Sequence, residues 1–337
     1  MTAFQFNVTT NTQTSGGERK QVDWDALNKH VVEAAGTATK SRSIPGVISG
    51  IYDLGEQNLE DAEKVFVGTE EDERKIIAEK PATYFKDGID RDTGKPARLM
   101  CYPQKPVQQV AIAVDFPQVL VDKGQFFGQS NPLPLRLMLN GEFTLPSDKT
   151  KVVGRPFNIR ETKYETEKTW AFAKNNGLHK LADAVGILDS NGLFKKERIG
   201  ELLGKVAQFQ FRVYMKPGKN GMSFFQEEIK LVGMVPEGVS IPEIPAGILH
   251  GVNLYGQNDP EAVKQLRVAV KNTIKRANNY AGSDLEKLFG ESAQQAPQPQ
   301  AEAPKPATIP AASEDFDDDI PFSPIGLQEG RLFLHIV

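Results

Sequence analysis

Between about Ser43 and Pro236 the chain is a series of short apolar runs separated by Gly, Pro and Asn. The runs are IPGVISGIYDLG, ARLMCYP, VQQVAIAVDF, LPLRLMLNGEF, VVGRPFNIR, and the pair VAQFQFRVYM and SFFQEEIKLVGMV. Runs of strand length bounded by turn residues predict a mainly β domain. The alternation is clearest in Val206–Lys216, where Phe209, Phe211, Val213 and Met215 share one parity and Gln208, Gln210, Arg212, Tyr214 and Lys216 the other. Across a turn at Pro217–Gly221, Phe225, Ile229 and Leu231 continue the apolar parity, while Phe224, Gln226 and Lys230 fall on the polar one.

Helical spacing replaces this pattern in a few places. Asp23 or Asp25 is placed to cap a helix carrying Trp24, Leu27, Val31 and Val32 that ends near Gly36. An insertion near 169–204 carries Leu178, Leu181 and Val185, then Ile199, Leu202 and Leu203, and predicts two short helices. Asp259, Pro260 and Glu261 form a helix start, and one helix is expected to run to Tyr280, followed by a turn or two at SDLEKLF, with Gly290 closing the fold. The expected organisation is a flexible N-terminus over 1–20, a β-rich domain over 21–245, a helical segment over 246–290, a Pro/Ala/Gln-rich disordered linker over 291–313, and a terminal segment over 314–337.

Charge divides at the same boundary. Beyond Gly290 eight acids face only Lys305 and Arg331, leaving −6 there, so of the chain's formal −4 the body holds +2. A slightly basic body with an acidic appendage is compatible with nucleic-acid binding without establishing it. The lone Cys101 excludes an intramolecular disulfide and a thiolate metal cluster, and suits a reducing cytoplasm. No basic start leads into an apolar stretch, and no run approaches the roughly 18–20 apolar residues that span a bilayer, so export and membrane insertion are not expected. No GxxxxGK[ST] phosphate loop is present, and His30, His179, His250 and His335 are scattered without metal-ligand spacing. Asp87, Asp90 and Asp92 resemble a cation-binding loop in composition only and read as a turn. The expectation is a protein with no cofactor and no resident metal, for which no catalysis is required.

Single-strand binding needs aromatic rings for the bases and cations for the phosphates. Tyr214 and Phe224 are the candidate stacking residues, with Arg212, Lys216, Lys219 and Lys230 as phosphate contacts. A second stretch, Arg155–Phe172, interleaves Arg160, Lys163 and Trp170 with three glutamates, and its Phe157 and Ile159 have the parity of a buried face. The plainer reading of the first set is a two-faced hairpin whose polar side meets water. The basic residues of the 260–280 segment likewise read as a solvated face opposite a core stripe.

The end of the chain carries the sharpest signal. Asp315, Phe316, Asp317, Asp318, Asp319, Ile320, Pro321 and Phe322 put acids beside apolar anchors at the end of a tether, a form suited to basic, pocketed partner surfaces. These eight residues, DFDDDIPF, closely resemble the acidic tip of bacterial single-stranded DNA-binding proteins. The resemblance implies that Phe322 enters a hydrophobic pocket, Pro321 and Ile320 shape the approach, and Asp317, Asp318 and Asp319 meet a basic ridge on helicases, nucleases, primases or polymerases. In that family the tip ends at its last Phe; here Phe322 is internal, so the terminal-carboxylate part of that mode is unavailable unless the chain is trimmed. Tips extended as SPIGL resemble those of phage and prophage single-strand binding proteins. The apolar ending Leu332–Val337 reads either as a second partner contact or as a strand that docks on the body.

The function these readings imply is sequence-independent binding and protection of single-stranded DNA during phage replication, recombination and repair, in the cytoplasm of a bacterial host. The implied body is an OB-fold-like barrel with helical additions, and self-association is left open. The rivals are a DNA-processing enzyme such as a nuclease, a recombination accessory factor with the same tip, and an adaptor that binds only proteins.

Overall fold

A computed structural model describes residues 22–90, 93–145, 148–217, 223–245 and 247–294. In chain order the elements are α1 (Trp24–Ala35), β1 (Arg42–Gln57), β2 (Ala62–Val65), α2 (Glu70–Glu79), β3 (Tyr84–Ile89), β4 (Pro96–Tyr102), β5 (Val107–Asp122), β6 (Pro132–Leu139), β7 (Gly141–Leu145), β8 (Asp148–Arg155), β9 (Phe157–Asn158), β10 (Thr162–Tyr164), β11 (Thr169–Ala171), α3 (Gly177–Ala184), β12 (Val206–Pro217), β13 (Ser223–Gly233), β14 (His250–Val252), α4 (Pro260–Lys264), α5 (Val268–Lys275) and α6 (Asp284–Gln294). The mainly β expectation holds.

The principal sheet has seven strands, with the path β13-β12-β1-β5-β6 and with β14 and β9 added beside β1 and β5. Along the path every neighbouring pair is antiparallel. β1, β5 and β6 follow one another as a meander, and β12 returns after a long connection to pair with β1, which is a Greek key. The two ends of the path, β6 and β13, run in the same sense and approach each other. This bends the sheet around Ile48, Val110, Ile112, Val114, Phe116, Leu135, Leu137, Phe209, Phe211 and Val213, all buried. Gly46 on β1 marks how tight this interior is: a Cβ there would lie 2.7 Å from Val114 Cγ1 and 2.9 Å from Phe209 Cδ2.

Helices close the interior. α1 begins at Asp23, whose side chain accepts from Ala26 N, and stops at Gly36 in the left-handed region, as the sequence predicts. Its Leu27, Val31 and Val32 join the same core, as do Leu178 and Leu181 of α3. The second predicted helix of the insertion forms as a 3-10 helix, Lys196–Leu202.

Over β1, β5 and β6 the outer face of the sheet is buried too. Ala111 and Ala113 of β5, Met138 of β6, and Tyr52 and Leu54 of β1 pack under Leu254, Val263, Leu266, Val270, Ile274 and Leu285 of the C-terminal segment. With both faces covered, β5 reads VAIAV, continuous rather than alternating. At Gly55, where β1 bulges at a φ of 72°, Glu56 N donates to Asn279 Oδ1 and Asn278 N donates to Glu56 O, tying the segment to the strand.

A line of buried charge joins the two ends of the path. Arg136 on β6 donates two hydrogen bonds to Asp115 on β5, at 2.8 and 2.9 Å. Arg267 donates to Glu227 of β13 and to the main-chain oxygen of Arg136 of β6, each at 2.7 Å. One guanidinium thus bridges the edges of β6 and β13. Glu227 lies opposite Val213, on the apolar side of the hairpin, which is why its charge needs so close a partner.

Several sequence expectations are corrected. The single helix over 260–280 is two, α4 and α5, broken around Gln265–Arg267, where Arg267 turns inward instead of lying on a solvated face. Gly290 does not close the fold, since α6 runs through it to Gln294. LPLRLMLNGEF divides at Asn140 into β6 and the start of a separate hairpin, β7–β8. Residues 58–106 form a unit of their own, a sheet in the order β2-β4-β3, whose α2 starts in a capping box between Thr69 and Asp72. Among the described residues no helix is long and apolar enough to cross a membrane.

Candidate nucleic-acid interface

The β12–β13 hairpin is built as its alternation predicts, because one of its faces is committed to the core. Its rungs place Gln210 opposite Lys230, Arg212 opposite Glu228, Tyr214 opposite Gln226 and Lys216 opposite Phe224, all on the parity away from Phe209, Phe211 and Val213. Four of the proposed contacts, Arg212, Tyr214, Lys216 and Lys230, therefore share one face with the backbone position of Phe224. Lys219 lies outside the described residues.

Within this face Arg212 stands over the Tyr214 ring, its guanidinium carbon 4.2 Å from the ring centre. Arg212 Nη2 donates to Ala38 O at 3.1 Å, and its buried Nε has no hydrogen-bond partner. The Tyr214 hydroxyl donates to Glu228 at 2.8 Å. Burial, and then this bond to a carboxylate, pushes the Tyr214 hydroxyl up to about 12, so it stays a donor across the physiological range. Sequence reasoning missed Glu228, whose signal was present: it is the acid on the polar parity between Gln226 and Lys230.

The second stretch is divided by the structure. Lys163 and Trp170 are direct cross-strand partners on the β10–β11 hairpin. Trp170 is 57% exposed, and Lys163 pairs with Glu165 at 2.9 Å. Phe157 is buried in the core, as its parity predicts, and Tyr164 donates to Phe172 O. Arg160 is exposed on the connection between β9 and β10, outside both ladders.

The charged line around Arg136 and Arg267 was not foreseen as a site. Lys123, just past the end of β5, belongs to it: burial, with Arg267 and Arg136 nearby, pushes its ammonium down to about 7 against the pull of Glu227 and Asp115. His250 on β14 is held below its ordinary value by burial and by Arg136, and its buried Nε2 has no hydrogen-bond partner. Local spacing could not reveal which residues make up this group, since Asp115, Arg136, Glu227 and Arg267 meet only through the sheet path. Among the described residues no group of three His, Cys, Asp or Glu side chains stands together to hold a metal ion. The linker beyond Gln294 and the entire 315–322 tip lie outside the described residues. Compared with known proteins, the chain matches no family model, no curated protein and no solved structure.

Proposed function

We propose that this chain binds single-stranded DNA without sequence preference and presents its acidic terminal peptide to replication, recombination and repair proteins. The observation that carries the reading is the face of the β12–β13 hairpin, where Arg212, Tyr214, Lys216 and Lys230 bring cations and an aromatic ring to one surface. The strand path supports it. A five-strand Greek key whose ends approach each other is compatible with the OB-fold-like body proposed, a partly open form that binds oligonucleotides on its strand 2–3 face and on the loops between strands 1 and 2 and between 4 and 5. Here the corresponding face, β5 and β6, is largely covered by the C-terminal helices, which leaves the outward face of β12 and β13 for the strand. Trp170 with Lys163 supplies a second stacking position. The DFDDDIPF segment supports the partner-recruiting half through its resemblance to the bacterial tip, and the SPIGL that extends it favours a phage origin.

The test is a titration of the full chain with poly-dT, followed by the fluorescence of Trp24 and Trp170. Binding should quench the signal, weaken with salt, and show a slope of log affinity on log salt that falls by about 0.7 for each phosphate contact removed, as in Lys216→Ala. Trp170→Ala should lose most of the quench. Absence of any affinity for unpaired DNA at low ionic strength rejects the reading. Gel shifts with magnesium separate the rivals, since cleavage favours a nuclease and retention of neither strand form favours an adaptor.

A further inference from the structure

The nucleotide face contains one acid at its centre, and its placement matters for how the face would work. Glu228 sits on the rung opposite Arg212, is only partly exposed, and accepts the Tyr214 hydroxyl at 2.8 Å. Arg212 makes no ion pair with it. That guanidinium lies over the Tyr214 ring and donates to Ala38 O, with its Nε unpartnered. The carboxylate thus holds the tyrosine hydroxyl, while the cation on the same pair of rungs keeps donor capacity unused.

Resting on the reading of this face as the single-strand surface, we propose that Glu228 is a built-in competitor of the DNA phosphate: its carboxylate takes the Tyr214 hydroxyl in the empty protein and must yield it when a strand docks. A carboxylate and a phosphate diester oxygen are both anionic acceptors for the same donor. Docking therefore exchanges one charge-assisted bond for another instead of adding one, and brings the phosphate towards a like charge. Arg212 covers one face of the Tyr214 ring, so a base can stack only on the other. Glu228 thus limits affinity and favours release, a useful property in a protein that must hand its strand to enzymes.

The experiment compares poly-dT affinity of the full-length wild type, Glu228→Gln and Glu79→Gln at one salt concentration. Glutamine keeps the size and an acceptor for Tyr214 but removes the charge, and Glu79 is an exposed acid on α2 that serves as the control. The expected result is three- to tenfold tighter binding for Glu228→Gln with no change for Glu79→Gln, and a Tyr214 hydroxyl that titrates lower by ultraviolet absorbance. Unchanged or weaker binding by Glu228→Gln overturns the proposal while leaving the single-strand reading intact. Equal tightening by both variants also overturns it, because the effect is then net charge and not position. A wild type that binds no single strand removes the underlying reading instead.

Discussion

Replacing Arg267 by Met tests whether one side chain fastens the two ends of the sheet path. The substitution keeps much of the apolar stem and deletes the donors to Glu227 and to the Arg136 carbonyl, each at 2.7 Å. The side chains of Arg267 and Glu227 are 15% and 6% exposed, so the carboxylate left behind is a buried charge, for which the loss is about 3–5 kcal/mol. An exposed pair would lose at most about 1 kcal/mol. Lys123, which Glu227 already attracts, can take part of the load, which sets the expectation near the lower end, about 3 kcal/mol. With about 0.6 kcal/mol per degree for a folded body of roughly 270 residues, Tm should drop by about 5 °C. Urea unfolding of Arg267→Met, Glu227→Leu and the double variant supplies the measurement. The double should recover much of the loss, because no unpaired charge remains. A cost under about 1 kcal/mol for Arg267→Met, or a double variant no more stable than Arg267→Met, would refute the reasoning.

Three further outcomes are expected. Lys123 titrates near 7 when folded and at its ordinary 10.5 when unfolded, so its penalty is complete below pH 7 and is relieved as pH rises towards 10.5; stability measured by urea should climb over that window by at most about 1.4 kcal/mol per pH unit, and Lys123→Met should flatten the climb. Gly46→Ala places a methyl 2.7 Å from Val114 Cγ1 and should destabilise by about 1–3 kcal/mol, read as a lowered Tm. Phe322→Ala should abolish pull-down of a host helicase or nuclease while poly-dT affinity stays unchanged, and loss of both would reject the division of labour between body and tip.

The candidate face was more legible than its setting. Arg212, Tyr214 and Lys216 were placed on one face from alternation alone, because a strand with one buried face must alternate. Phe157 and the Asp23 and Gly36 ends of α1 were legible for equally local reasons, a parity and two caps. β5 gave no face at all, since Ala111 and Ala113 are covered by helices that arrive far later in the chain. Arg267 was read as a surface cation on a long helix, whereas a carboxylate 40 residues earlier draws it inward and the helix breaks beside it. Glu227 was the available clue: an acid on the core parity between Phe225 and Ile229 calls for a counter-charge that no neighbour in sequence provides.

Gln57 and Val107 occupy one rung of the β1–β5 ladder, so everything from 58 to 106 departs from the sheet and rejoins it at a single point. Topologically that whole excursion is a hairpin connection grown to the size of a small module, and a short Asn-Gly turn would rejoin the strands without shifting their register. The length of the excursion is therefore uncoupled from the ladder: residues can be added to or taken from it while β1 and β5 keep the same partners.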